Sequence, residues 1–313
     1  MTDPYGRKIE YLRVSVTDLC NLRCRYCMPP DGVCKRPHAD MLTQEELITA
    51  MEAAAALGIK KIRITGGEPL VKRNILSICR QAAAIDGIRE LCLTTNGTLL
   101  APMAKDLRQA GVSRLNISLD TLDPEKYAAM TVTGQLSDAL AGLDRALEAG
   151  FDKIKVNAVL MGGFNDDEIE ALSHLTMEKP IDLRFIELMP MTEGFDGNYL
   201  PADTVLQRLP QLEALGSEGV ARLYRLPGAQ GRIGLITPVS CHFCGTCDRL
   251  RLTADGKVKP CLHSREEFSL KGLDFDGMKA VLVRAIGAKP PWHGQLDALH
   301  PSAAGRSMNQ IGG

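Results

Sequence analysis

A chain of 313 residues, 45% hydrophobic and 24% charged, has the make-up of a folded globular protein, long enough for one large barrel or two modest domains. Lys and Arg total 37 against 38 Asp and Glu, so no basic surplus argues for nucleic acid, and any anionic ligand must be met by a local cluster. Ten cysteines, no apolar core of a signal peptide and no apolar run of membrane-span length predict a cytoplasmic chain whose thiols serve metal or redox chemistry rather than disulfides.

The first predicted strand, 11–16, stops at Thr17-Asp18, and Cys20, Cys24 and Cys27 follow at once. Three thiols so close together read as ligands to one shared partner. A disulfide would leave one over, and the spacing is not that of paired zinc-binding arms. A four-iron cubane fits better: three cysteines leave one iron open to a small-molecule ligand.

After Pro29, Pro30 and Pro37, Thr43-Gln44-Glu45-Glu46 has the form of a capping box and starts a helix to about Leu57. Strands are expected at 61–65, 91–95, 114–119, 153–160 and 183–188, each followed by helical sequence, at 74–84, up to 110, after Asp123-Pro124, over 137–149 and after Asn165-Asp166-Asp167-Glu168. Strands alternating with helices at this spacing predict right-handed crossovers and a parallel sheet of six units, either an incomplete barrel or an open doubly wound sheet. Polar residues gather at or past strand ends, in Gly66-Gly67-Glu68, Thr94-Thr95-Asn96, Ser118, Asp120 and Glu187, which is the functional face of a barrel.

Beyond about Met191 the alternation fades. Short strands are expected at 222–226 and 231–236, and 249–253 and 257–262 flank the hairpin turn Ala254-Asp255-Gly256. Cys244 and Cys247 precede that hairpin and Cys261 lies on its return strand, so the fold could assemble three thiols again. Cys79 and Cys92 sit in apolar patterns as small buried hydrophobes. The closing Gly312-Gly313 has the composition of a disordered end.

With an aromatic residue just before the third cysteine, Cys20 to Cys27 resembles the signature of the radical S-adenosylmethionine enzymes. That resemblance implies a 4Fe-4S cluster on Cys20, Cys24 and Cys27 and a six-unit partial barrel, which decides between the two sheet architectures. It also implies S-adenosylmethionine on the open iron, cleaved to a 5′-deoxyadenosyl radical. The segments Arg63-Ile64-Thr65-Gly66-Gly67-Glu68-Pro69-Leu70, Asn116-Ile117-Ser118-Leu119-Asp120, Arg184-Phe185-Ile186-Glu187-Leu188-Met189-Pro190, Arg249-Leu250-Arg251-Leu252 and the final Gly-Gly resemble the GTP 3′,8-cyclase family, which opens molybdenum cofactor biosynthesis.

The resemblance implies a radical barrel over 1–215 and an extension over 216–313 carrying a second 4Fe-4S cluster on Cys244, Cys247 and Cys261. Tyr26, Gly67, Ser118 and Met189 would line the S-adenosylmethionine pocket. Arg13, Arg63, Thr94, Lys155, Arg249, Leu250 and Arg251 would hold GTP. The implied lyase reaction is removal of the ribose C3′ hydrogen and closure of C3′ onto guanine C8, giving (8S)-3′,8-cyclo-7,8-dihydroguanosine 5′-triphosphate. An electron donor and the downstream cyclic pyranopterin monophosphate synthase are the implied partners, with room for a homodimer; the Gly-Gly tail would reach toward the active site. This chain departs from the family pattern at Leu19, at Asp248 and at Cys241, a fourth thiol beside the second group that is expected to be a bystander. A radical maturase acting on a peptide would differ by a peptide groove and by not binding GTP, and an iron-sulfur carrier or scaffold would leave Gly66-Gly67-Glu68-Pro69 and the cationic residues without a role.

Overall fold

In the computed structural model, which describes residues 1–28, 32, 36–191, 198–297 and 299–312, the first half of the chain is a succession of strand–helix units. β1 (Tyr11–Ser15) leads through the cysteine loop to α1 (Gln44–Ala56), and β2 (Lys61–Thr65) is followed by α2 (Ile75–Ala84). β3 (Glu90–Thr95), α3 (Ala104–Gln109), β4 (Arg114–Ser118), α4 (Pro124–Thr131), α5 (Leu136–Glu148), β5 (Lys153–Gly162), α6 (Ile169–Glu178) and β6 (Asp182–Glu187) complete the series. Cys34 lies outside the described residues.

Local chemistry sets the helix starts. Thr43 and Glu46 close the capping box on α1, and the Asp123 carboxylate accepts from the N–H groups of Glu125 and Lys126 at the start of α4. Two expectations shift. The helix toward 110 begins only at Ala104, after turns from 98 onward. Asn165 caps nothing; its side chain accepts from the Met161 N–H and donates to the carbonyls of Asp120 and Val159, fixing the loops beyond β4 and β5.

β7 (Asn198–Tyr199), α7 (Thr204–Arg208), β8 (Glu213–Glu218), β9 (Ala221–Arg225), β10 (Arg232–Ile236), β11 (Arg249–Leu252), β12 (Lys257–Lys259), β13 (Phe268–Ser269) and α8 (Phe275–Gly287) follow. β10 pairs in parallel with β6 and β11 in parallel with β1, so the strand path reads β13-β12-β11-β1-β2-β3-β4-β5-β6-β10-β9-β8. The six-unit partial barrel thus gains one parallel strand on each edge. Its two ends are not paired among the described residues, and residues 237–248 run along the open seam from the end of β10 to the start of β11.

One apolar core lies between strands and helices. Leu12, Val14, Ile62, Ile64, Leu93, Ile117 and Val156 face it, as do Met51 of α1, Ile78 and Cys79 of α2, and Leu282 of α8. α8 begins where the Asp274 carboxylate accepts from the Gly277 N–H. Alternation turns the other strand residues inward, and there the sequence is polar: Arg13, Arg63, Thr94, Asn116, Lys155 and Arg251. No helix among the described residues is long and apolar enough to cross a membrane.

Candidate active site

Cys20, Cys24 and Cys27 lie on the loop beyond the C-terminal end of β1, half-buried and unpaired by any disulfide. Burial pushes all three thiols up, Cys27 to about 12. Such thiols need a metal to become thiolates, and N–H groups already aim at the sulfurs. Leu22 donates to Cys20 Sγ at 3.4 Å, Asn96 Nδ2 approaches it at 3.9 Å, and the Asn309 backbone donates to Cys27. Among the described residues no three His, Cys, Asp or Glu groups converge on a single metal ion. A cubane takes one thiolate on each of three irons, which is the donor set that these three thiols offer.

Gly66 and Gly67 are required by packing of the chain on itself. The Gly67 N–H donates to the Thr17 carbonyl at 2.7 Å and that of Glu68 to Leu19 at 2.8 Å; a Cβ on Gly67 would lie 2.7 Å from the Asp18 carbonyl. Glu68, buried and pushed up to about 7 by that burial, accepts from Leu70 N–H, Thr95 hydroxyl and Asn96 N–H, locking the loops after β2 and β3 together. Beside the cysteine loop a small cavity is lined by Cys24, Tyr26, Asn96, Ser118, Asp120 and Tyr127, among others. The Tyr26 hydroxyl donates to Asp120 at 2.8 Å, and burial raises the Asp120 carboxyl to about 6. The buried Tyr127 hydroxyl has no hydrogen-bond partner among the described residues. Of the four residues expected at S-adenosylmethionine, Tyr26 and Ser118 line this cavity; Gly67 and Met189 border the same end of the barrel outside it.

The barrel interior is cationic. Arg63 Nε donates to the Tyr11 hydroxyl at 2.5 Å and its Nη1 reaches the Thr94 hydroxyl at 3.4 Å, while the Arg249 guanidinium stands over the Tyr11 and Phe243 rings. Arg13 and Arg251 both donate to the Gly312 carbonyl, at 3.2 and 2.9 Å. Lys155 donates to Glu218 at 3.0 Å. Burial, then repulsion among these cations, lowers Arg13 to about 10, Arg251 to about 9 and Lys155 to about 8, with Glu218 pulling Lys155 back up and Tyr11 doing the same for both arginines. Tyr11, though buried, is drawn down to about 8 by Arg63, Arg13 and Arg249. Leu250 is not brought to this interior: its side chain is 1% exposed within the apolar core, on the opposite face from Arg249 and Arg251.

Cys244 and Cys247 occupy one tight turn, the Cys247 N–H donating to the Cys244 carbonyl at 3.1 Å, immediately before β11; Cys261 follows β12. Burial raises the Cys244 thiol; at Cys247 the same effect is outweighed by Lys289 and Arg249, which leave it below its ordinary value. Arg7, buried and paired with Asp3 at 2.5 Å, donates to the Cys244 carbonyl at 2.9 Å and to that of Pro290 at 2.7 Å. Lys289 donates to the carbonyls of Arg249 and Pro260. Cys241 is exposed, whereas Cys244, Cys247 and Cys261 are half-buried.

Residues 14–176 match the family model described as Radical SAM superfamily, and residues 181–294 that described as Molybdenum Cofactor Synthesis C. The chain is 46% identical over 323 aligned residues to the GTP 3',8-cyclase of Alkaliphilus oremlandii, with all of both chains covered. It is 48% identical to that of Peptoclostridium acidaminophilum, covering all of this chain and 98% of the other. The chain belongs to the GTP 3′,8-cyclase family. Among solved structures, Streptococcus suis SuiB bound to precursor peptide SuiA aligns with a TM-score of 0.65 at 15% identity, over 88% of this chain and 65% of that one, a likeness of fold.

Within this GTP 3′,8-cyclase family member, several buried groups carry no assignment from sequence. Tyr11 and Arg184 point inward, and each has a legible signal, Tyr11 two residues before Arg13 on the same strand face and in register with Arg249, and Arg184 in register with Asn157. Buried Asn116 Oδ1, Asn157 Oδ1 and Arg184 Nε have no hydrogen-bond partner among the described residues. Glu218, which meets Lys153, Lys155 and Arg232, carries no sequence signal of that role: β8 reads as an exposed, Gly-interrupted segment.

Proposed function

We propose that the interior cations hold the triphosphate of GTP, between a radical cluster on Cys20, Cys24 and Cys27 and a second 4Fe-4S cluster on Cys244, Cys247 and Cys261. The chain is a radical S-adenosylmethionine lyase of the first step of molybdenum cofactor biosynthesis, the cyclisation of GTP between C3′ and C8. The observation that carries the ligand assignment is the gathering of Arg13, Arg63, Lys155, Arg184, Arg249 and Arg251 in one interior. Burial depresses Arg13, Arg184, Arg251 and Lys155, and Glu218 is the carboxylate that meets Lys155 and Arg184. A polyanion relieves that repulsion, and the partnerless Arg184 Nε–H offers it a hydrogen bond, while the partnerless amide oxygens of Asn116 and Asn157 can accept only from donor groups elsewhere on the nucleotide.

Cys20, Cys24 and Cys27 would hold the first cluster, which with S-adenosylmethionine would supply radical chemistry for hydrogen abstraction at C3′. The chain's own groups do the rest. Tyr26 and Asp120 shape the cofactor cavity, Ser118 lines it, and Gly67 and Met189 border it. Arg13, Arg249 and Arg251 neutralise phosphate charge, Arg63 and Lys155 approach from β2 and β5, Thr94 orients Arg63, and Leu250 contributes through its main chain. The second cluster's fit rests on three half-buried thiols with Lys289 and Arg249 beside Cys247; its open iron would receive guanine.

In this reading 1–215 serves the radical chemistry and 216–313 the second cluster, although both build one sheet. The chain works in the cytoplasm, draws an electron from a separate donor, and passes product to cyclic pyranopterin monophosphate synthase, as a monomer or homodimer. The test is anaerobic incubation of reconstituted protein with GTP, S-adenosylmethionine and dithionite. Cyclised nucleotide and 5′-deoxyadenosine should form together. 5′-Deoxyadenosine without nucleotide product, or no binding of GTP by calorimetry, overturns the reading.

A further inference from the structure

The C-terminal segment is tied down far more firmly than its composition suggests. Arg306, nearly buried, grips two carboxylates at once: Nη1 and Nη2 each donate to Asp255 at 3.0 Å, and Nε and Nη2 donate to Glu267 at 2.6 Å. Asp255 is itself fixed in the β11–β12 turn by Thr253 and Arg36 at 2.6 Å. Fully buried Lys259 joins Glu267 to the carbonyls of Ser264 and Ala304. From that anchor a capping box on Ser307 and Gln310 turns the chain. Asn309, 1% exposed, donates through its side chain to the Asp18 carbonyl at 3.1 Å, where the cysteine loop begins, and its backbone N–H meets the Cys27 thiol. Two residues on, Ile311 is buried, and the Gly312 carbonyl lies between Arg13 and Arg251. Gly312 has φ +70° and a Cβ there would collide with the Thr65 hydroxyl.

We propose that Arg306 is a positioning residue for the reaction: it anchors residues 307–312 as a strap from the β11–β12 hairpin, across the cysteine loop, to the paired guanidinia of Arg13 and Arg251. Chain ends fray unless held, and fixing each backbone residue costs about 1–2 kcal/mol of conformational entropy. The strap's other ties are hydrogen bonds with neutral donors or acceptors, whereas the two carboxylates on Arg306 form forked, charge-assisted pairs. One segment therefore sets the hydrogen bonding of a cluster sulfur and the spacing of two like-charged groups together. Releasing it loosens both while leaving the barrel intact. The inference rests on the cluster assignment above. Iron content and 5′-deoxyadenosine formation in the wild type test that assignment without touching the tail, so the two failures are distinguishable.

The experiment compares reconstituted wild type with Arg306→Met by amide hydrogen exchange, steady-state kinetics and redox titration of the radical cluster. Expected in the variant is exchange at 307–312 faster by about tenfold or more while β11 and β12 keep their protection. With it, kcat should fall roughly ten- to a hundredfold, with any rise in KM for GTP, from the loosened Arg13 and Arg251, the smaller of the two effects. The cluster's midpoint potential should fall, because a sulfur that loses an N–H donor favours the oxidised state. Wild-type exchange at 307–312 overturns the proposal, as does faster exchange with wild-type kcat or an unchanged potential. If Arg306→Met loses iron or fold, Arg306→Lys, which keeps the charge but cannot fork onto both carboxylates, carries the same readouts on a smaller scale. Wild-type values there overturn it equally.

Discussion

The two cysteine groups occupy opposite ends of one barrel interior and are built in opposite ways. Cys20, Cys24 and Cys27 come from a single loop of eight residues, just past the C-terminal end of β1. Cys244 and Cys247 sit just before the N-terminal start of β11, where the Tyr11 N–H donates to Asp248, and Cys261 has to be returned by a hairpin. β1 and β11 run in parallel, so a five-residue strand separates the groups by about 17 Å at roughly 3.3 Å per residue, with the cations in between. A local ligand set tolerates distant changes; a non-local one is only as good as the tertiary contacts that assemble it. For the second group those are Asp3–Arg7, Lys289 and the β11–β12 hairpin.

The sharpest break in this symmetry is Cys24→Ser. It should abolish 5′-deoxyadenosine formation while the second group stays intact, so that iron content falls by about half under the two-cubane reading. Retained cleavage of S-adenosylmethionine in the variant would falsify it.

Next in size, Arg251→Ala removes a buried guanidinium that belongs to neither group and should weaken GTP binding by about 1.5–3 kcal/mol per charged hydrogen bond lost. S-adenosylmethionine binding should not change; calorimetry with each ligand separates the two, and wild-type GTP affinity rejects the assignment.

Gly256→Ala probes the non-local group. Gly256 holds φ +78° in the hairpin turn, and a Cβ would lie 2.8 Å from Leu42 Cδ2, so the turn is strained by about 1–2 kcal/mol. The expected result is partial loss of the second cluster's spectroscopic signal with the first group's cleavage activity kept. Equal loss at both groups would mean that they are not independently assembled.

Lys155 should set a pH limit on GTP binding and on neither group. Burial and Arg184 lower its ammonium to about 8 despite Glu218, whereas phosphate favours the charged form and raises it in the complex. Affinity should therefore fall as pH rises through about 8, with proton uptake on binding above that pH. Calorimetry in two buffers of different ionisation heat measures it, and zero uptake at about pH 8.5 contradicts it.

The smallest effect is expected of Cys241→Ala, because Cys241 is exposed while its three neighbours are half-buried. Wild-type iron content and a wild-type spectroscopic response to GTP are predicted. Loss of the second cluster would make Cys241 a ligand and close its open iron.

Local signals made much of this legible before any tertiary structure. Thr43 with Glu46, Asp123 with Pro124 and the turn at Asp255-Gly256 act within a few residues, and the period-2 alternation in β1 and β2 turns Arg13 and Arg63 inward whatever packs outside. The spacing of Cys20, Cys24 and Cys27 is likewise local chemistry. What depended on long-range pairing was not legible. β10 and β11 join opposite edges of the sheet because β6 and β1 offer unpaired parallel edges, and a strand does not carry its partner's identity in its own residues. Glu218 on β8 reaches Lys155, 63 residues away, and Arg7 reaches Cys244, 237 away. The tail reverses its composition: a sequence ending in glycines reads as a frayed end, but Arg306 between Asp255 and Glu267 supplies the binding free energy that orders it. Sequence therefore determined which thiols and cationic side chains the chain carries on each strand and loop, and tertiary structure decided which of them meet, since buried charges find partners only where distant strands and loops bring them together.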